Sequence, residues 1–167
     1  MEITDIDQFL RYYGKVKART ARLFSFIPPE KIEWTYQEGK FTIGDLIRHL
    51  ANIERYMYGE TVELRSSAYQ GCGTEYAEGA EEVFAYYKKM NEESVAIFKN
   101  LSPVDLQRKC PTPGGIEITT WKWLRAMVEH EVHHRGQLYT YLGLLGIVPP
   151  PIYGLTAEEV QARSAAN

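Results

Sequence analysis

Four segments of the chain carry apolar side chains at steps of three and four residues, the spacing that places them on one face of an α-helix. These segments lie at residues 4–26, 42–64, 83–100 and 120–145. Proline and glycine clusters separate or end them, because proline lacks the backbone donor that a continuing helix needs. Each helix must bury its apolar face against a neighbour, and a four-helix bundle does this for all four. We therefore predict an all-α fold built as a four-helix bundle.

The length of the chain, its helix-capping residues and its lack of hairpin turns and repeats refine this prediction. A length of 167 residues fits one hydrophobic core, so we predict that residues 1–167 form a single domain. Thr42 with Asp45 predicts a capped start for the second helix, and Thr156 with Glu159 predicts a short, capped C-terminal helix. No two strand-like runs are joined by an Asn-Gly or Asp-Gly turn, and no internal repeat occurs, which excludes sheet folds and solenoids.

Charge and hydropathy limit the partners that the chain can have. Acidic side chains outnumber basic ones by 22 to 19, which gives a formal net charge of −3. This charge provides no positive field for a phosphate backbone, so nucleic acid is not an expected partner. No apolar run follows basic residues at the N-terminus, and no stretch of about 18 apolar residues occurs. We therefore expect no signal peptide and no membrane span, and we predict a cytoplasmic protein.

The two cysteines, Cys72 and Cys110, are far apart in the sequence, and neither belongs to a CxxC pair. The sequence therefore predicts neither a disulfide framework nor a cysteine metal site. Both are expected to be inert, partly buried thiols. Cys72 lies between two glycines, where exposure is expected, so it is the first candidate for a reactive thiol.

The four histidines are unevenly distributed, since three of them fall between residues 130 and 134. On a helix, His130 and His134 are one turn apart and separated by about 40° around the axis, so both rings can reach one ion. Both lie on the apolar stripe of the last long helix and should face the bundle interior. His133 is rotated by about 100° from His134, and we predict a surface or hydrogen-bonded role for it, with proton transfer as the alternative.

His49 lies on the apolar stripe of the second helix and should also point inward. Buried imidazoles need partners, and three of them on two helices predict a site for one divalent metal ion formed by His49, His130 and His134. Three protein ligands with a free fourth position are typical of catalytic zinc. The alternative is that these are core histidines satisfied by hydrogen bonds. Glu131 could mimic a metalloprotease base, but an upstream third ligand and the lack of a sheet edge disfavour a protease.

Two motifs resemble those of a known family. The run EHEVHHRGQL at residues 129–138, with Gly146 after it, resembles the last-helix signature of the DinB/YfiT-like family of proposed metalloenzymes. The run GDLIRHL at residues 44–50, with Glu54 after it, resembles the second-helix motif of that family. The combination is fairly specific, and the similarity in layout covers nearly the whole chain.

This resemblance implies a bundle in up-down-down-up order, with a long crossover between helices two and three, paired as a homodimer. It implies the ligand set His49, His130 and His134, holding zinc or nickel. Gln137 shares the ligand face and could orient a ring or a water molecule. For Gly136 the sequence favours close helix packing, and for Arg135 a packing role or a structural ion pair. The characterised members of the family are transferases or isomerases that use the thiols mycothiol or bacillithiol.

Three hypotheses about function follow, and the sequence does not decide whether the chain is an enzyme. The first is a metal-dependent enzyme that activates a low-molecular-weight thiol or water for transfer to, or hydrolysis of, a small molecule. The second is a stress-induced, non-catalytic module that binds metal or protein, in which the ion only ties two helices together. The third and weakest takes the 12 tyrosines as the lining of a ligand pocket that needs no metal.

Overall fold

In the computed structural model, which describes residues 2–165, four long helical segments pack side by side. The helices and strands are α1 (Ile6–Ala21), α2 (Ile43–Asn52), α3 (Gly59–Val62), α4 (Gly79–Phe98), α5 (Pro103–Gln107), β1 (Lys109–Pro111), β2 (Glu117–Thr119), α6 (Thr120–Leu144) and α7 (Ala157–Ala165). A π-helical stretch, Ile53–Tyr58, joins α2 to α3 without a break. Residues 43–62 therefore form one continuous helix, which we call the second bundle helix.

The bundle runs up-down-down-up, as the family resemblance implies. Asn52 accepts a hydrogen bond from Tyr86, and Arg55 donates one to Glu93, so the second bundle helix and α4 are parallel. The crossover between them, residues 63–78, is long because it must return the chain to the end at which the second bundle helix began. Helices α1 and α6 are also parallel: Phe9 and Leu124, near their N-terminal ends, belong to one core cluster, whereas Leu23, just after α1, and Leu138, in the second half of α6, belong to the other.

The caps predicted at Thr42 and Thr156 are present, and α6 ends before Gly146 as predicted. The Thr42 hydroxyl accepts a hydrogen bond from the Asp45 backbone N–H, and the Asp45 carboxylate accepts one from the Thr42 backbone, both at 2.9 Å. Thr156 and Glu159 form the same reciprocal pair before α7. Gly146 follows α6 with a φ of 74°, a left-handed conformation that glycine adopts without a steric penalty.

Some boundaries differ from the prediction. Helix α1 ends at Ala21, and a separate 3₁₀ turn covers Phe24–Phe26, whereas the periodicity predicts one helix over residues 4–26. A short antiparallel ribbon forms from β1 and β2, with Cys110 opposite Ile118. The proline and glycine cluster at residues 111–115 leaves residues 116–118 as an extended piece in the sequence, and this piece overlaps β2. Nothing in the sequence indicates β1, because three-residue strands are too short to show an alternating pattern.

Two apolar clusters fill the bundle and meet near its middle. One cluster contains Leu46 and Leu50 from the second bundle helix with Leu138 from α6, and the other contains Ile53 and Met127 from the same two helices. The histidines lie between these residues along both helices, at the junction of the two clusters. In the part of the chain that the structure describes, no helix has the length and apolar character needed to cross a membrane.

Candidate metal centre

Three imidazole rings meet at the centre of the bundle. The Nε2 atom of His130 lies 3.2 Å from Nε2 of His49 and 3.0 Å from Nε2 of His134. One nitrogen atom from each ring lies within 4.8 Å of the others. His49 comes from α2, whereas His130 and His134 come from successive turns of α6. The structure therefore brings together the three histidines that the sequence selects.

This convergence fits a divalent metal ion. Zinc lies about 2.0 to 2.1 Å from histidine nitrogen, and a tetrahedral arrangement then separates two ligand nitrogens by about 3.3 Å, close to the two distances observed. In a neutral imidazole one ring nitrogen carries no proton and presents a lone pair. A proton on Nε2 of His130 can form a good hydrogen bond to only one of the two Nε2 atoms that face it. A cation would satisfy all three nitrogens together. The residues thus fit a three-histidine site, and their role as ligands stays a prediction.

The outer nitrogens of two rings have partners that fix the ring orientation. Nδ1 of His49 lies 2.8 Å from the hydroxyl oxygen of Tyr69, and Nδ1 of His134 lies 2.6 Å from Oε1 of Gln137. When Nδ1–H donates to such an oxygen, Nε2 is left unprotonated and able to bind a metal. The contact of Gln137 agrees with the orienting role considered from the sequence. Tyr69 is a site residue that the sequence analysis missed.

The rings are poor bases in this environment. Burial, with a smaller contribution from the other two histidines, lowers the pKa of His49 to about 3. Burial and the neighbouring His134 lower the pKa of His130 to about 4, and burial also lowers the pKa of His134. The rings are therefore neutral near pH 7, which is the protonation state that metal ligation requires.

A buried arginine holds the crossover against the second bundle helix. The Arg48 side chain is fully buried, and it donates hydrogen bonds to the carbonyl oxygens of Cys72 at 2.8 Å and Ala77 at 3.1 Å. Its guanidinium also pairs with Glu33 and Asp45, each at 2.7 Å. These bonds satisfy a charge that would otherwise be costly to bury. They also fix the segment that carries the Tyr69 hydroxyl to the histidine cluster.

A second polar cluster lies in the core and joins all four long helices. The Lys17 ammonium on α1 lies 2.6 Å from the carboxylate of Glu54 and 3.3 Å from that of Glu131, and all three side chains are almost completely buried. From α4, the Tyr87 hydroxyl donates to Glu131 at 2.5 Å and the Asn91 amide donates to Glu54 at 2.7 Å. Both oxygens of Glu131 are thus engaged with these groups, which gives no support for a role as a protease-type base.

The predictions for the other residues of the last-helix motif can also be compared with the structure. His133 is exposed, as predicted. Arg135 is buried and donates to the Val16 carbonyl at 3.3 Å, which supports its packing role, and no ion pair to it occurs within residues 2–165. The packing role expected for Gly136 is wrong, because the residue is exposed and a Cβ atom there would meet nothing within 4 Å.

The expectation that Cys72 is exposed is also wrong. Only 9% of its surface is accessible, and burial raises the pKa of its thiol, so it is a poor candidate for a reactive cysteine. The glycines on either side suggest an open loop, but the backbone contact with Arg48 holds the segment against the helix. Cys110 is fully buried, in agreement with an inert thiol.

A cleft of about 520 Å³ opens beside the three histidines, between α6 and the loop that precedes α2. It reaches the centre through His134 and Gln137. The hydroxyl of Tyr141 donates to the carbonyl oxygen of Phe41 at 3.0 Å and so joins the two walls. The Phe41 ring in turn lies 5.4 Å from the ring of His49, between centroids. The cleft therefore gives a small molecule access to the edge of the site.

Comparison with known proteins agrees with this arrangement. The model of the DinB family matches residues 1–165. The chain belongs to the DinB family. Membership explains the paired motifs of the second bundle helix and α6, and it confirms the resemblance seen in the sequence.

Solved structures share the fold of this DinB protein. A DinB-like protein from Bacillus cereus ATCC 10987 superposes with a TM-score of 0.74 at 18% identity, over 89% of this chain and 97% of the other. The DinB-like protein YjoA from Bacillus subtilis superposes with a TM-score of 0.71 at 22% identity, over 88% and 97%. YjoA of strain 168, an uncharacterized protein, aligns in sequence over 88% of this chain and 95% of its own. TT2238, a four-helix bundle protein, gives a TM-score of 0.63 at 20% identity, over 81% of this chain and 99% of its own.

Proposed function

We propose that the chain is a metal-dependent enzyme of the DinB type with one divalent ion, zinc or nickel, held by His49, His130 and His134. The observation that supports this most directly is the meeting of three Nε2 atoms at separations of 3.0 and 3.2 Å from the central one. Imidazole suits both metals, and three protein ligands leave a coordination position free. The orientation of two rings by Tyr69 and Gln137 supports the same assignment.

The proposed reaction is transfer of a low-molecular-weight thiol to a small molecule, or hydrolysis of one. The ion would supply Lewis-acid chemistry, lowering the pKa of a thiol or of water at neutral pH. The protein's own contribution is to present three neutral imidazoles, to fix their direction, and to surround them with apolar core that excludes bulk water. The cleft beside His134 would admit the small molecule.

Activity assays on zinc-loaded and nickel-loaded protein test this proposal. We expect conjugation of a thiol to a generic electrophile, or ester hydrolysis, in the wild-type protein and in His133→Ala, an exposed neighbour of the site. His49→Ala should reduce either activity by about a hundredfold or more, because a site with two histidines binds the ion poorly. Equal activity, or equal inactivity, of His49→Ala and the wild type would contradict the proposal.

A second candidate is a stress-induced, non-catalytic metal-binding or protein-binding module in which the ion serves as a structural tie. The position of His49 on the second bundle helix favours it, since an ion shared with His130 and His134 would join that helix to α6. Chelation would then lower the melting temperature strongly. A catalytic ion should leave the fold almost unchanged, because the Lys17 cluster already joins all four long helices.

Two further expectations belong to the same proposal. We propose a homodimer on the basis of the family resemblance, and sedimentation equilibrium tests it directly: a mass of one chain at all concentrations would contradict it. We also keep the cytoplasmic location as a prediction, which a fluorescent fusion expressed in the native host can test. Neither expectation affects the chemistry proposed for the histidines.

A further inference from the structure

We propose that the cleft beside His134 binds the substrate of the enzyme, and that this substrate is a small molecule with a flat apolar body and one anionic group. The assignment as substrate rests on the proposed function, whereas the binding itself requires no reaction. The volume of about 520 Å³ lies within the range of sites for small molecules, about 300 to 1,000 Å³, and is far too small for a folded partner.

The walls of the cleft supply the apolar recognition. Tyr36, Phe41 and Leu144 line it with 51%, 41% and 60% of their surfaces exposed, although side chains of this kind are usually buried. Tyr141 lies deeper, 7% exposed, and its ring meets that of Tyr36 edge to face at a centroid distance of 5.6 Å. Exposed apolar groups around a concave site indicate a ligand surface, and aromatic walls favour a flat body between them.

The charge of the cleft supplies the second part of the recognition. Among the lining residues in the described part of the chain, Lys40 carries the one full charge, and no carboxylate lines the cleft. Within residues 2–165 no acidic side chain pairs with Lys40, so its ammonium is available to a ligand. The whole chain has a net charge of −3, so attraction of an anion here would be a local property of the cleft.

The cleft is also formed before any ligand arrives. The hydrogen bond from Tyr141 to the Phe41 carbonyl fixes the loop wall against α6, and the Trp34 ring packs against Tyr141 at a centroid distance of 5.7 Å. A preformed site loses less free energy to ordering when it binds. The bound molecule would lie against Gln137 and His134, and therefore beside the metal centre.

Calorimetry with two probes of the same shape tests the inference. The probes are 2-naphthoate and its neutral analogue 2-naphthamide, titrated into the full chain with and without zinc. We expect both to bind, with the acid tighter by about fivefold, the size of an ion pair near a surface. Lys40→Gln should remove this preference and leave the affinity of the amide unchanged. The matched control is Lys31→Gln, an exposed lysine outside the cleft, which should behave as the wild type.

A second variant blocks the cleft without touching its charge. Thr140 is exposed and lines the cleft, so Thr140→Trp should fold, bind zinc and lose affinity for both probes. The inference is overturned if neither probe binds the wild type, or if Thr140→Trp binds them normally. It is also overturned if the preference for the acid requires zinc and persists in Lys40→Gln, since the anion would then contact the ion. Binding in the cleft by a protein inactive in every assay would contradict the proposed function alone.

Discussion

The hydroxyl of Tyr69, in the crossover, lies 2.8 Å from Nδ1 of His49 on the second bundle helix. This contact fixes the orientation of the His49 ring, which is the ligand that α2 would contribute to the proposed metal centre. We predict that Tyr69→Phe weakens zinc affinity by about tenfold to a hundredfold, the range for loss of a hydrogen bond behind a ligand. Competition with a fluorescent zinc chelator measures this effect.

The control for this change is Tyr12→Phe, which removes the hydroxyl of an exposed tyrosine on α1. We expect it to bind zinc as the wild type does. Thermal unfolding of both metal-free variants should show that neither change disturbs the fold. Unchanged zinc affinity in Tyr69→Phe would mean that the hydroxyl does not orient the His49 ring.

Lys17 provides the positive charge between two buried carboxylates, Glu54 and Glu131. We predict that Lys17→Met lowers the free energy of unfolding by about 3 to 5 kcal/mol, because it leaves both carboxylates in the core without their cation. Lys15→Met is the matched control, since Lys15 is exposed on the same helix, and it should change stability by less than about 0.5 kcal/mol. Urea denaturation measures both, and similar losses in the two variants would contradict the prediction.

The lowered pKa values of His49 and His130 predict how the stability of the metal-free protein depends on pH. In the unfolded chain these rings take up protons near pH 6.5, whereas in the folded chain they do so only at about 3 and about 4. Between these values the unfolded state binds more protons, so the free energy of unfolding decreases as pH falls. We therefore predict that the metal-free protein is less stable at about pH 5 than at about pH 7.

The double variant His49→Gln with His130→Gln isolates this contribution, since glutamine does not titrate. Its stability should decrease less between the same two pH values, because only the other ionisable groups still contribute. Urea denaturation of both proteins in a metal chelator provides the comparison. A wild-type protein whose stability falls no more than that of the double variant would show that burial does not hold these rings neutral.

Much of this arrangement is predictable from the sequence, because amphipathic helices carry their periodicity locally. The stripe of apolar residues places His49 inward, and the one-turn spacing of His130 and His134 places them together. The helix caps at Thr42 and Thr156 follow from the same local rules. These features need no knowledge of which helix neighbours which.

Features that depend on tertiary contacts cannot be predicted from the sequence alone. Tyr69 lies in a crossover without periodicity, so nothing local indicates that its hydroxyl reaches His49. Lys17 would ordinarily be exposed, and only the facing carboxylates of two other helices explain its burial. Cys72 is expected to be exposed for a similar reason, since the Arg48 contact that covers its segment comes from another part of the chain. Gly136 shows that a residue in a family motif need not lie at a helix contact.

The zinc content of untagged protein, measured by mass spectrometry after zinc loading and dialysis, tests the central claim most directly. We predict about one ion per chain in the wild type and in His133→Ala, and almost none in His49→Ala, because the ion needs ligands from both α2 and α6. A wild-type protein that retains no zinc or nickel, or a His49→Ala variant that retains as much as the wild type, would contradict a metal centre formed by His49, His130 and His134.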